Sequence, residues 1–144
     1  MFKHILAPVD GSANSLAALD KAVALTEVTG ADLSILTVYR HHSMLEASLS
    51  MVRPEDPGNM DDIMRGHAKE VAEAAKAHAS QAGAVARAYV RNGSVARGIV
   101  GFADEHGCDL IVIGGRGMGS VEGFLLGSVS HKVTGLAECP VMVV

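Results

Sequence analysis

Between Gly114 and Ser130 the sequence reads GGRGMGSVEGFLLGSVS, with glycines at 114, 115, 117, 119, 123 and 127. Such a density removes Cβ atoms from the backbone, so its N–H groups can approach an anion closely. Gly127-Ser128 falls where the following pattern predicts a helix, from about Ser128 to Leu136. A helix start offers unpaired N–H groups and the positive end of the helix dipole. Ser128 and Ser130 could add hydroxyl donors, and Arg116 a positive charge. The chemistry that suits this stretch is phosphate or other anion binding; the alternative is a flexible glycine turn that holds nothing. Two familiar phosphate loops are excluded by letter. No Lys follows a glycine in the GxxxxGK[ST] register, and Ser120 stands where GxGxxG needs its third glycine after Gly115 and Gly117.

A second polar segment, Pro8-Val9-Asp10-Gly11-Ser12, follows a short apolar run near the N-terminus. The elements between the two segments alternate. Strands are predicted over 4–9, 32–40, 85–91, 109–114 and 141–144. Helices are predicted after Ser12 (inner stripe Leu16, Leu19, Val23 and Thr26, ended by Gly30), after Asn59, after Ser94 (Ile99 and Phe102 inward, ended by Gly107) and from Ser128. For the helix after Asn59 the inner stripe reads as Ile63, Val71, Ala74 and Ala75, with Asp61 and Asp62 in the first turn. Strand, helix, strand in alternation implies an α/β fold: a parallel sheet with helices on both faces. In such sheets ligands bind beyond the carboxyl ends of the strands, where the strand order reverses. If strands one and four flank that point, PVDGS and the glycine stretch line one crevice.

Composition narrows the function classes. The chain has 144 residues, read as a single domain over 1–144, with a net charge of −4. No basic run marks a nucleic-acid or anionic-membrane surface. No apolar stretch approaches the ~18–20 residues of a membrane span, and the N-terminus shows no signal-peptide pattern, so the expectation is a cytoplasmic protein that is not membrane-embedded. Cys108 and Cys139 form no CxxC and read as buried thiols. The seven histidines lack ligand spacing, so no protein-held metal is expected. No catalytic residue stands out: there is no HxGH, and Glu122 is the nearest candidate base to the glycine stretch. Three Phe, two Tyr and no Trp leave little to stack on a flavin.

At Gly114-x2-Gly117-x9-Gly127-Ser128 the sequence resembles the universal stress proteins, whose nucleotide motif is G-x2-G-x9-G-[ST]. PVDGS, DLIVIG, LLGSVS and CPVMVV match the family in order and spacing, so the likeness covers essentially the whole chain. The resemblance implies a Rossmann-like five-stranded parallel sheet in the order 3-2-1-4-5. It implies binding of ATP, or of ADP or AMP, with Mg²⁺ accompanying the phosphates. Gly114, Gly117, Gly127, Ser128 and Ser130 would hold phosphates and ribose, with Gly115, Arg116 and Val129 in the same stretch. Pro8, Val9 and Asp10 would contact adenine or ribose, and Val38 would give an apolar adenine contact. The family's use of its last strand implies a homodimer through 141–144. Such a protein would be a regulatory or sensor protein working through partners; the alternative is a slow ATPase or adenylate-handling enzyme of the same superfamily. Where many members carry Gly-x-Pro after strand three, this chain has Asn92-Gly93-Ser94-Val95. The connection after His41, with Met44, Leu45, Leu49 and Val52 on one apolar face, is similar to a segment of stress proteins associated with TRAP-type transporters, which implies such a transporter as partner.

Overall fold

All four residues of the strand Leu110–Ile113 are buried, as a strand covered on both faces requires. A computed structural model, which describes residues 1–40, 57–115 and 127–144, shows how that cover is built. The element order is β1 (His4–Pro8), α1 (Ala13–Thr29), β2 (Asp32–Tyr39), α2 (Pro57–Gln81), β3 (Ala86–Asn92), α3 (Val95–His106), β4 (Leu110–Ile113), α4 (Ser128–Leu136) and β5 (Val141–Val143). The five strands form one parallel sheet in the order β3-β2-β1-β4-β5, as expected. The apolar face at 44–52, and the positions Arg116, Gly117 and Glu122, lie outside the described residues.

Strand alternation divides the core in two. Ile5, Ala7 and Val9, with Leu33, Ile35, Leu110 and Val112, pack under α1 and α2. Leu6, Leu36, Ile111 and Ile113 pack under α3 and α4, where Ile99, Phe102 and Val133 are fully or almost fully buried. Ser12 caps α1, its Oγ accepting the Ser15 N–H at 3.1 Å, and Gly30 ends the helix in the left-handed region at φ 74°.

Helix α2 departs from expectation. It starts at Pro57, not after an Asn59 cap, so Asp61 and Asp62 fall beyond its first turn. Proline suits a first helical position because its missing N–H would have no helical acceptor there. The buried stripe is Ala68, Ala72, Ala75 and Ala79; Ile63 is 59% exposed, and Ala74 is exposed as well. Ser94 stands at the cap position of α3, but its side chain makes no cap hydrogen bond.

At the amino ends of β1 and β4, the Asp109 carboxylate accepts the N–H of Lys3 at 2.8 Å and of His4 at 3.0 Å. The His4 ring donates from Nδ1 to the His106 carbonyl, as a carbonyl partner requires, and its Nε2 lies 2.7 Å from the Ser34 hydroxyl. Cys108 and Cys139 are free thiols, the first buried and the second half-buried. Burial pushes the Cys108 thiol up to about 12 and raises that of Cys139, so both stay protonated at neutral pH.

Partial burial works to raise the Asp109 carboxyl, but the His4 and Lys3 amide bonds together outweigh it and hold the group below its ordinary value. A carboxyl depressed in the fold stabilises above its unfolded value, near pH ~3.9, and loses that contribution as pH falls through the folded value. Asp109→Asn should therefore lower stability by about 1 kcal/mol at pH 7 in urea titrations. The gap from the parent protein should shrink below pH ~4. A constant gap from pH 7 to 3 would contradict this role.

Candidate functional site

The sheet order reverses between β1 and β4, which pair through Ile5↔Leu110 and Leu6↔Ile111. Continuing that register sets Pro8 beside Ile113, so the chain leaves both strands at the same place. The residues that follow, Val9-Asp10-Gly11 and Gly114-Gly115, flank the reversal point. This is where an open α/β sheet forms a ligand crevice.

On the β1 side, Val9 is 4% exposed and donates its N–H to the Leu36 carbonyl at 2.9 Å, which locks it to β2. Asp10 is exposed. One carboxylate oxygen accepts the Ser12 N–H at 2.9 Å, and the Asp10 N–H reaches Ser15 Oγ at 3.3 Å. Gly11 has φ 87°, a conformation that side chains other than glycine's rarely adopt, and it turns the chain into α1. Val38, near the end of β2, is half-buried on the α3 face; a Cβ at Gly98 of α3 would meet both its methyl carbons at 3.2 Å.

The β4 side is tightly fastened. The Gly115 N–H donates to the Val144 carbonyl at 2.9 Å, and the Val144 N–H donates to the Ile113 carbonyl at 2.9 Å. The Gly127 N–H donates back to the Gly115 carbonyl. Ser130 is 2% exposed and its Oγ lies 3.1 Å from the Gly115 carbonyl and 3.1 Å from the Gly127 carbonyl. Ser128 is exposed at the first position of α4, and Val129 is half-buried. Gly127 is the N-cap residue, and among the described residues no side chain caps the helix. In a helix the first N–H groups have no acceptor within the helix, so any partner of the Ser128, Val129 and Ser130 amides must come from outside it.

Chemically, a helix start of this kind can receive an anion on its backbone amides. The nine-residue α4 directs its positive end and its first amides toward the reversal point, and the exposed Ser128 hydroxyl stands beside them. Among the described residues, no group of three or more His, Cys, Asp or Glu side chains could hold a metal, and no helix is long and apolar enough to cross a membrane.

Of the residues singled out in the sequence, Pro8, Val9, Asp10, Gly114, Gly115, Gly127, Ser128, Val129 and Ser130 gather around this end of the sheet. Val38 lies one strand away, at the same end. Two of them are bonded within the chain. The N–H and carbonyl of Gly115 are both taken up within the chain, and the Ser130 hydroxyl faces two carbonyls. One contributor escaped the sequence reading: Asn14, in the first turn of α1. Its Nδ2 donates to the Val144 carbonyl at 3.4 Å. A Cβ at Gly114 would stand 2.7 Å from its Oδ1 and 3.0 Å from its backbone oxygen. The need for glycine at 114 thus comes from the helix packed against it. The signal that could have found Asn14 is its position, two residues past the Ser12 cap and close to the exit of β1.

Comparison with known proteins agrees with this architecture. The family model of the universal stress protein family matches residues 1–144, and the chain belongs to that family. Universal stress protein YxiE of Bacillus subtilis is 40% identical over 147 residues, covering 100% of this chain and 99% of that protein. The structure of universal stress protein UspA from Lactobacillus plantarum superposes with a TM-score of 0.81 at 25% identity, covering 99% of this chain and 97% of that one. A universal stress protein solved in complex with cAMP gives a TM-score of 0.69 at 26% identity, with 99% and 96% covered.

The packing at Gly114 is directly testable. Gly114→Ala should destabilise the protein by about 1–3 kcal/mol in chemical denaturation, as overpacking does. Asn14→Ala should relieve only part of this, because the Asn14 backbone oxygen remains in the way. A neutral Gly114→Ala would show that the contact yields freely.

Proposed function

We propose that this protein binds an adenine nucleotide, ATP or its ADP or AMP relatives, in the crevice beyond β1 and β4, and acts as a regulatory protein whose partners read the bound state. The observation that carries the proposal is the start of α4, where a glycine motif leads into the helix and, among the described residues, no side chain caps its first amides. In this reading, Gly127, Ser128 and Val129 hold phosphate. The PVDGS turn and Val38 bound the ribose and adenine end. A carboxylate next to a triphosphate would repel it, so Asp10 belongs at the ribose or base. The relative solved with cAMP supports an adenine nucleotide as the ligand class. Mg²⁺ would arrive on the ATP phosphates, since it needs few protein ligands.

We further propose a homodimer through 141–144. Strand β5 is a sheet edge without a charged side chain, and Met142 is 37% exposed on it. Such an edge favours pairing with a second strand. Under this proposal the chain is one domain working in the cytoplasm.

Isothermal titration should show saturable ATP binding with Kd below about 1 mM. Gly127 has extended backbone, φ −62° and ψ 158°, which any residue can adopt. Gly127→Val should therefore fold, yet weaken ATP at least about tenfold, because its side chain would stand over the first amides of α4. Absence of binding at millimolar ATP by nucleotide-free protein would overturn the reading. Light scattering at high micromolar protein with ATP should give about twice 14.9 kDa; a persistent monomer would refute the dimer.

A further inference from the structure

Ser130 stands in the part of the sequence that invites a phosphate contact, yet its surroundings assign it other work. A serine hydroxyl has one proton. Among the described residues, Ser130 Oγ reaches two oxygens, the carbonyls of Gly115 and Gly127, at 3.1 Å each. Carbonyls only accept, so in this structure the proton goes to one or the other. The bond to Gly127 is a local one, of the kind a serine makes within its own helical turn. The bond to Gly115 is different, because it joins residues 15 apart in sequence and reinforces the Gly127 N–H bond to the same carbonyl. Gly115 is in turn fixed to the sheet edge by its N–H bond to Val144.

We propose that Ser130 is a positioning residue: its hydroxyl clamps the start of α4 onto Gly115 and so aims the Ser128 and Val129 amides at the phosphate. The inference rests on the nucleotide reading and deepens it by dividing the roles. Ser128, exposed at the first helical position, contacts the ligand; Ser130, buried one residue beyond Val129, acts on the phosphate end through Gly115. Because the clamp acts on the phosphate end of the crevice, it should matter for ATP and not for adenosine.

Ser130→Thr and Ser130→Val have the same shape and differ only in the hydroxyl, so comparing them isolates it; Ser130→Ala replaces the valine variant should that fail to fold. Two readouts are needed: amide exchange at Gly127 in ligand-free protein, and calorimetric affinity for ATP and for adenosine. The threonine variant should stay within about twofold of the parent in both. The valine variant should speed Gly127 exchange and weaken ATP by about fivefold each, the equivalent of one hydrogen bond. Its adenosine affinity should change less than twofold. Equal Gly127 exchange in the two variants would overturn the clamp and make Ser130 a ligand contact if ATP alone weakened. Equal losses for ATP and adenosine would overturn the phosphate-specific role. If the parent protein bound neither ligand, the nucleotide reading and the affinity half of the proposal would fall together, and the exchange comparison would still decide the clamp.

Discussion

The pairing of β1 with β4, through Ile5↔Leu110 and Leu6↔Ile111, is the constraint on which the candidate site depends. It sets two chain exits, at Pro8 and Ile113, side by side at the point where the sheet order reverses. Far below, Asp109 fastens the amino ends of the same strands by accepting two backbone N–H groups from Lys3 and His4. Were β1 and β4 not neighbours, PVDGS and the glycine stretch would belong to different surfaces.

From that pairing the rest follows by short steps. Gly11 turns the chain into α1, whose first turn brings Asn14 against Gly114. Gly115 then ties to Val144, and Gly127 and Ser130 tie to Gly115. The start of α4 is thereby located relative to β4 and β5 by backbone bonds, with few side chains involved. A site made this way presents amides in place of charged groups, which suits an anion that must be held without a basic cluster. It also connects the crevice to β5: one carbonyl, that of Val144, accepts from both Gly115 and Asn14.

The sequence made the element order legible because apolar strands, serine caps and terminal glycines recur at regular intervals, and Ser12, Gly30 and Gly107 act as read. The strand order was legible only through the family likeness, since periodicity does not say which strands pair. For helix α2 half of the expected stripe is borne out, Ala75 being buried and Val71 packed against the core; Ile63 and Ala74 are exposed, because the buried stripe is alanine. At the site, the sequence pointed to one end of the sheet, where the structure gathers these residues, but not to who bonds whom. The Gly114–Asn14 packing joins residues 100 apart, and the Ser130–Gly115 bond forms only after α4 has docked. Residue type suggested a ligand contact at Ser130; its burial and its bond to the Gly115 carbonyl are tertiary facts.

The most direct test of the account is to titrate isotopically labelled protein with ATP and follow every backbone amide by NMR. The account predicts that the largest shifts fall on Ser128–Ser130 at the start of α4 and on Val9–Ser12 beyond β1, with little change at the opposite end around Lys3, His4, His106 and Asp109. Saturable binding with its largest shifts at that opposite end, or no shifts at all at millimolar ATP, would contradict it.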